Sequence, residues 1–295
     1  MTGKTTMKTT RILKGLFAAT LAGVVAFTAV PANAAHELLF GVDQFDNLFS
    51  FYSDAPGNLL SQRAITGLQN NESIVGIDSW NGAVYGLGNS SRLYTLDLNT
   101  GNATQVGSGP FATLLSGITF GVDNGASGVQ VVSGLGQSLL VNRSTGVATA
   151  EPSVSYAAGD IYAGQGPRVD GLAFDPVSGK WLAADTLKNS LATFDPVTGL
   201  LNTIGALGID AARGNGMDIS PDTGIMYMDT PQSSSDAQAN LYTVNKLTGQ
   251  VSLVGLIGNP GDNILVSGLT VVPEPSTVAL LALGAVGLLF ARRRQ

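Results

Sequence analysis

The chain has 295 residues, including 38 glycines, no cysteine and one histidine; 44% are apolar, 12% are charged, and the net charge is −6. Glycine is close to twice its usual share of about 7%, and charge is about half its usual 25%. Disulfide scaffolds, cysteine-ligated metals, thiol nucleophiles, collagen-like fibres and disordered chains are excluded, and the apolar content suffices for a sizeable core.

Residues 1–34 read as a signal peptide. Lys4, Lys8, Arg11 and Lys14 form a basic region, Leu16 to Val30 is an uncharged and mostly apolar run, and Ala32-Asn-Ala34 supplies the small-x-small site that signal peptidase cuts. Met7 is a second possible start, and an uncleaved anchor is the alternative reading. Residues 35–272 then keep eight basic residues against 20 acidic ones, a net charge of about −12. Such a surface is unsuited to nucleic acid, whose affinity rests on Lys and Arg against phosphate.

Within 35–272 a short motif recurs, in which alternating residues lead into a turn that ends in glycine. It appears as Leu93 to Gly101, Leu139 to Gly146, Leu191 to Gly199 and Leu241 to Gly249, with a looser copy at Leu48 to Gly57. Asn, Asp or Pro opens each turn, Ser or Thr supports it, and glycine takes the left-handed position that closes a hairpin. A second hairpin is expected before each copy, at Trp80-Asn-Gly82, Asp123-Asn-Gly125, Asp175 to Gly179 and Pro221 to Gly224. Two hairpins make four strands, and about 48 residues per repeat is the size of a β-propeller blade. The expectation is an all-β propeller of five four-stranded blades. A sixth blade has room only in Ser153–Asp170, which is too short.

The opening strands also repeat, as Gly76-Ile-Asp78, Gly117-Ile-Thr119, Gly171-Leu-Ala173, Gly216-Met-Asp218 and Gly268-Leu-Thr270. The last copy has no strands after it, while His36 to Thr66 carries three strands with no opening strand before them. The C-terminal strand is therefore expected to pair with the N-terminal blade and close the ring, leaving only short edges. The stretches Glu72 to Asp78, Gly82 to Gly107, Gln130 to Ser133, Gly205 to Asp210 and Leu241 to Gly255 together resemble the domain-of-unknown-function 4394 family. That resemblance implies a propeller-like repeat protein and brings no established activity.

Residues 273–295 carry a second address. Pro273-Glu274-Pro275 precedes an apolar run, Thr277 to Ala291, and then Arg292-Arg293-Arg294. The run is short of the ~20 residues of a comfortable membrane span, and the arginines would remain cytoplasmic. This three-part ending resembles the PEP-CTERM sorting signal. The resemblance implies a Gram-negative source, a transient inner-membrane anchor, cleavage by an exosortase-type protease and release outside, in the company of exopolysaccharide and biofilm production. A plain C-terminal anchor is the alternative.

Little chemistry is legible in between. His36, the one histidine, sits at the start of the exported chain, so no Ser-His-Asp triad and no catalytic residue is assigned. Asp97, Asp123, Asp175, Asp195 and Asp222 are read as turn residues. Asp43-Gln-Phe-Asp-Asn47 and Asp123-Asn-Gly125 are read as Asx turns lacking the spacing of a calcium loop, so no metal or cofactor is expected. Loops before first strands and between second and third strands share one propeller face. Glu72, Arg92, Arg168, Asp170, Asp185, Lys188, Arg213 and Asp229 are expected to gather there, as a ligand-binding cluster or a solvated rim. The expected function is that of an exported, monomeric, non-enzymatic structural or ligand-binding propeller, with exopolysaccharide as a partner. The alternative is a polysaccharide hydrolase or lyase that uses carboxylates on that face.

Overall fold

The structure, a computed structural model, describes residues 1–3, 36–211, 216–231 and 236–273. Both processing signals, apart from Met1 to Gly3 and Pro273, fall outside these residues, as does Arg213. Among the described residues no helix is long and apolar enough to cross a membrane.

The protein is an all-β propeller of five blades. Blade one runs from its inner strand Ile74–Trp80 through Ala83–Gly88 and Arg92–Leu96 to Ala103–Val106. Blade two comprises Phe120–Gly125, Gly128–Ser133, Ser138–Val141 and Ala148–Ala150. Blade three comprises Val169–Asp175, Lys180–Asp185, Ser190–Asp195 and Leu200–Ala206. Blade four comprises Met217–Ile219, Met226–Pro231, Ala239–Val244 and Val251–Leu256. Blade five takes its inner strand, Val266–Val271, from the C-terminal end and its other three, Leu38–Asp43, Asn47–Tyr52 and Leu59–Ala64, from the N-terminal end. Leu39 pairs with Val271 and Gly41 with Leu269, antiparallel, so the ring closes as the split repeat requires.

The core is five wedges, one between each pair of neighbouring blades. In one wedge Leu39, Phe49 and Phe51 of blade five meet Tyr227 and Leu241 of blade four; in another, Leu87 and Leu93 of blade one meet Val122 and Val131 of blade two. The inner strands approach so closely that each needs a residue without a side chain. Gly76 faces Val122, Gly121 faces Leu172, Gly171 faces Met217, Gly216 faces Leu269, and Gly268 faces Ile77. A Cβ on Gly76 would lie 2.5 Å from Val122 Cγ2, inside any allowed contact. The glycine of the recurring turn has a similar second duty. At Gly146, φ is +68°, and a Cβ would lie 2.4 Å from the Val106 carbonyl of the preceding blade. The motif is therefore both a hairpin closure and a seam between blades.

Two expectations about blade two are corrected. Its inner strand starts at Phe120, so Gly121-Val-Asp123 occupies the repeat position assigned to Gly117-Ile-Thr119. Asp123 is consequently a buried strand residue, and the hairpin turns at Ala126-Ser127. The segment after blade two forms no sixth blade: Ser155–Tyr156 adds a short parallel strand to the outer edge of blade three.

Candidate functional sites at the two ends of the ring

Inner strands begin at one end of the ring, called here the upper end, and finish at the lower end. Of the residues expected to form a ligand site, all but Arg213, which lies outside the described residues, belong to the upper end, where they divide into separate networks. Glu72 is buried and accepts from Tyr94 Oη at 2.5 Å and from the Ser90 hydroxyl, with Arg92 Nη1 3.7 Å away. Burial and the adjoining Glu72 carboxylate push the Tyr94 hydroxyl up to about 12. Asp170 is fully buried and accepts from Arg168 Nε at 3.2 Å and from the Thr119 and Thr186 hydroxyls, each at 2.5 Å. Asp185 accepts from Tyr156 Oη at 2.6 Å and from the backbone N–H groups of Leu187 and Lys188. Lys188 itself reaches Gln165 at 2.5 Å.

Asp229 departs from this pattern. Its Oδ2 accepts from Gly216 N at 2.8 Å, while its Oδ1 has no partner. It is fully buried, and burial raises its carboxyl well above the ordinary carboxylate range, beyond what the Gly216 bond offsets. Among the described residues no side-chain hydrogen bond joins the Glu72, Asp170, Asp185 and Asp229 networks.

The lower end holds a cluster that the sequence reading did not assemble. Asp78, Asp123 and Asp218 come from the inner strands of blades one, two and four, and one oxygen from each lies within 4.8 Å of the others. All three are buried. A repeat rule places them. Asp78 Oδ2 accepts from Asn124 N at 2.8 Å, Asp123 Oδ2 from Phe174 N at 2.6 Å, Asp218 Oδ2 from Val271 N at 2.6 Å, and Thr270 Oγ1 from Ser79 N at 3.0 Å. In four of five steps, the residue two after the ring glycine thus caps a backbone N–H of the next blade. Ala173 breaks the series, and Ile219 N turns instead to Asp218 Oδ1 at 2.6 Å.

Such a cluster cannot be fully ionised in so dry a place. Thr270 Oγ1 lies 3.0 Å from Asp78 Oδ1 and 2.9 Å from Asp218 Oδ2. A hydroxyl has one hydrogen, and one lone pair already takes Ser79 N, so one of the two carboxyls must bring its own proton. Burial raises all three acids. Asp123 is raised well above the ordinary range, with the charges of Asp78 and Asp218 adding to the effect of burial, and Asp218 is raised well too, with the Asp78 charge adding to it. Hydrogen bonds from Asp123 and Thr270 partly offset the rise at Asp78.

These acids line a cavity of about 250 Å³ at the lower mouth of the ring. Its walls include Trp80, Phe174, Pro176, Pro221, Val272 and Pro273, so the first residue of the sorting signal stands at its rim. The signal that could have revealed the cluster was the repeated Gly-x-Asp. It was hidden because blade two was read four residues out of register, which put Thr119 where Asp123 belongs. Asp43 does form an Asx turn, accepting from Phe45 N and Asn47 N at 2.9 Å each. Asp97, Asp175 and Asp195 hold turns in the same way.

Residues 47–270 match the family described as domain of unknown function DUF4394, and residues 271–294 match the PEP-CTERM protein-sorting motif. No curated protein matches the chain. Among solved structures, the chain is similar to a glutaminyl cyclase of Myxococcus xanthus at 14% identity, over 74% of this chain and 95% of that one, with a TM-score of 0.44. It is also similar to a chain of a nidogen/laminin complex at 13% identity, over 80% and 98%, with a TM-score of 0.47. A Bacteroides thetaiotaomicron protein of unknown function is similar at 15% identity, over 75% and 58%, with a TM-score of 0.46.

Proposed function

Because the chain belongs to the DUF4394 family and carries a PEP-CTERM sorting signal that marks it as exported and envelope-associated, we propose that it is a non-enzymatic, ligand-binding propeller of the outer envelope or extracellular matrix. Its partner class is exopolysaccharide, and it acts as a monomer released after signal peptidase and an exosortase-type protease have trimmed residues 1–34 and the C-terminal tail. The source is a Gram-negative bacterium, and the setting is a biofilm.

The observation that supports a binding role over catalysis is the engagement of the buried carboxylates. Glu72, Asp170 and Asp185 are each held by hydroxyl, backbone or arginine donors that fix the blades. Glycoside hydrolysis needs two carboxyl groups facing a bond across about 5–5.5 Å or 6.5–9.5 Å, free to exchange protons with substrate. The lower acids converge more tightly than that and are tied to backbone N–H groups. The hydrolase or lyase reading would use the same lower acids, whose raised carboxyls are its one specific support.

A glycan array probed with the exported protein, scored for both retention and cleavage, separates the two readings. Retention without new reducing ends is expected; release of oligosaccharides would establish the enzyme. Intact-mass measurement of the same protein should show Arg292 to Gln295 removed, and a secreted species retaining Arg294 would refute processing by this signal.

A further inference from the structure

The chain leaves the ring at its lower end, and it leaves from a fixed point. Val272 N donates to Leu38 O at 2.9 Å, Val272 packs against the wedge between blades five and one, and Pro273 stands exposed at the rim of the lower mouth. Glu274, Pro275 and Ser276 alone separate that rim from Thr277, where the apolar run of the sorting signal starts. The extended chain from Pro273 to Thr277 reaches at most about 14 Å, and the prolines at 273 and 275 stiffen it. The headgroup layer is itself about 5–8 Å deep on each side of the hydrocarbon. The apolar run is shorter than a comfortable span, which draws its ends further toward the headgroups. While the membrane holds the tail, the lower end of the ring therefore stands at the headgroups and the upper end faces away.

The surface presented there suits that contact. Val177, in the first turn of blade three, is 81% exposed, and Leu247, in the outer turn of blade four, is 89% exposed. Lys246 Nζ, 3.0 Å from Asp175 Oδ2, ties the two turns together, so both side chains flank one ion pair. Pro176 and Pro221 stand exposed on the rim of the mouth, and the half-buried Trp80 belongs to the same rim. Tryptophan is enriched where membrane meets water, and exposed apolar side chains in a group mark contact with a membrane or a partner. Charge does not explain the contact. In the first-hairpin turns Asn81-Gly82, Ala126-Ser127, Pro176 to Gly179 and Pro221 to Gly224, Asp222 is the one charged residue. The net charge of about −12 on residues 35–272 is repelled by anionic lipid. A weak apolar contact suffices, because a short tether holds the two surfaces at millimolar effective concentration. Leu135 and Leu187 at the upper end are also exposed, at 74% and 55%, but the tether keeps them away from the bilayer.

We propose that, until the tail is cut, the lower end of the ring lies on the lipid bilayer that anchors it, with Val177, Leu247, Pro176 and Pro221 in contact with lipid. This rests on the sorting signal and is independent of the polysaccharide reading above.

The chain has no cysteine, so a fluorophore on a single introduced cysteine reports one position. The protein with its tail uncut, made in a host without an exosortase-type protease, is placed in phosphatidylcholine–phosphatidylglycerol vesicles carrying a lipid spin-labelled near the headgroup. A fluorophore at Val177→Cys or Leu247→Cys should be quenched several-fold more than one at Leu135→Cys or Leu187→Cys. Raising the salt should leave that contrast intact. Val177→Asp with Leu247→Asp should lower the quenching at Pro221→Cys several-fold at an unchanged melting temperature. Equal quenching at the two ends, or quenching at Pro221→Cys that survives the paired substitution, overturns the proposal. So does a contrast lost in high salt, which would assign the contact to charge. Disulfide-linked Val177→Cys pairs in place of quenching would assign the face to a second copy and overturn it as well. A protein that fails to float with the vesicles overturns the proposal together with the anchor, and leaves the polysaccharide reading to its own glycan-array test.

Discussion

The two ends of the ring bury carboxylates by opposite means. At the upper end most acids receive their own donors: Asp170 has the Arg168 guanidinium and two threonine hydroxyls, and Glu72 has Tyr94 and Ser90, while Asp229 keeps one oxygen without a partner. At the lower end three acids share one pocket with no cation among the described residues bonded to any of them, and backbone N–H groups of the next blade are their main donors. A paired carboxylate is most stable ionised, whereas crowded carboxyls are most stable when some keep their protons. At the lower end the crowded acids therefore keep at least one proton, because the single hydrogen of the Thr270 hydroxyl cannot serve both Asp78 and Asp218. The contrast also separates roles: upper acids fasten strands to loops, and lower acids fasten blade to blade.

The largest effect should come from removing the strand that both closes the ring and completes the lower cluster. A chain ending at Asn263 loses the pairing of Val266–Val271 with Leu39–Asp43, the burial of Val266, Leu269 and Val271, and the Thr270 hydroxyl between Asp78 and Asp218. Each buried aliphatic side chain is worth roughly 1.5–3 kcal/mol and each backbone bond about 0.5–1.5 kcal/mol. The total rivals the ~5–15 kcal/mol stability of a typical domain. The shortened chain should aggregate or show no cooperative melt, while a chain ending at Val272 should melt cooperatively. Equal melts for the two would mean that the ring does not depend on its closing strand.

A smaller loss is expected at the upper end. Asp170→Asn keeps the shape but removes the charge that holds Arg168 Nε, and it turns one acceptor oxygen into a donor facing the Thr119 or Thr186 hydroxyl. Charge-assisted bonds are worth about 1.5–3 kcal/mol, and Arg168 is partly solvated, which pulls the value toward the lower figure. Urea unfolding at neutral pH should show a loss of about 2 kcal/mol. A neutral outcome would mean that the bonds from Arg168, Thr119 and Thr186 to Asp170 add nothing to stability, and the contrast between the ends would fail.

The architecture was legible in the sequence because propeller geometry repeats its demands. Four of the five outer hairpins close on a left-handed glycine, Gly101, Gly146, Gly199 and Gly249, and at Gly101, Gly146 and Gly249 that glycine lies against the preceding blade. Every inner strand needs a glycine against the next, and the orphan strand Val266–Val271 required a partner. Loop order assigns Glu72, Arg168, Asp170 and Asp185 to one end of the ring. Their division into separate networks was not legible, because it depends on individual partners such as Tyr94 and Thr186, which no periodicity announces. The lower cluster was lost to one register error. With Asp123 read as a turn residue, only Asp78 and Asp218 remained of the set, and two acids 140 residues apart in sequence do not announce a shared pocket.

The smallest effect is the most discriminating, because the same Asp-to-Asn change should act in the opposite direction at the lower end. Asp218→Asn retains an oxygen to accept from Val271 N and removes one ionisable group from the crowded cluster. In the native protein the Asp218 carboxyl is raised well above 3.8, mainly by burial and then by the Asp78 charge. A raised acid binds its proton more tightly folded than unfolded. Its stabilising contribution is therefore complete below the unfolded value and is lost as pH rises through the folded one. Each unit of upward displacement is worth about 1.4 kcal/mol. The native protein should lose stability relative to Asp218→Asn as urea unfolding is moved from mildly acid to mildly alkaline pH, and the variant should be the more stable of the two by about 1 kcal/mol or more on the alkaline side. Taking the difference between the two proteins at each pH removes the opposing contribution of Asp175, whose carboxyl Lys246 and backbone bonds hold low against its partial burial. A difference independent of pH would show Asp218 to be ionised throughout, with a countercharge in the cavity.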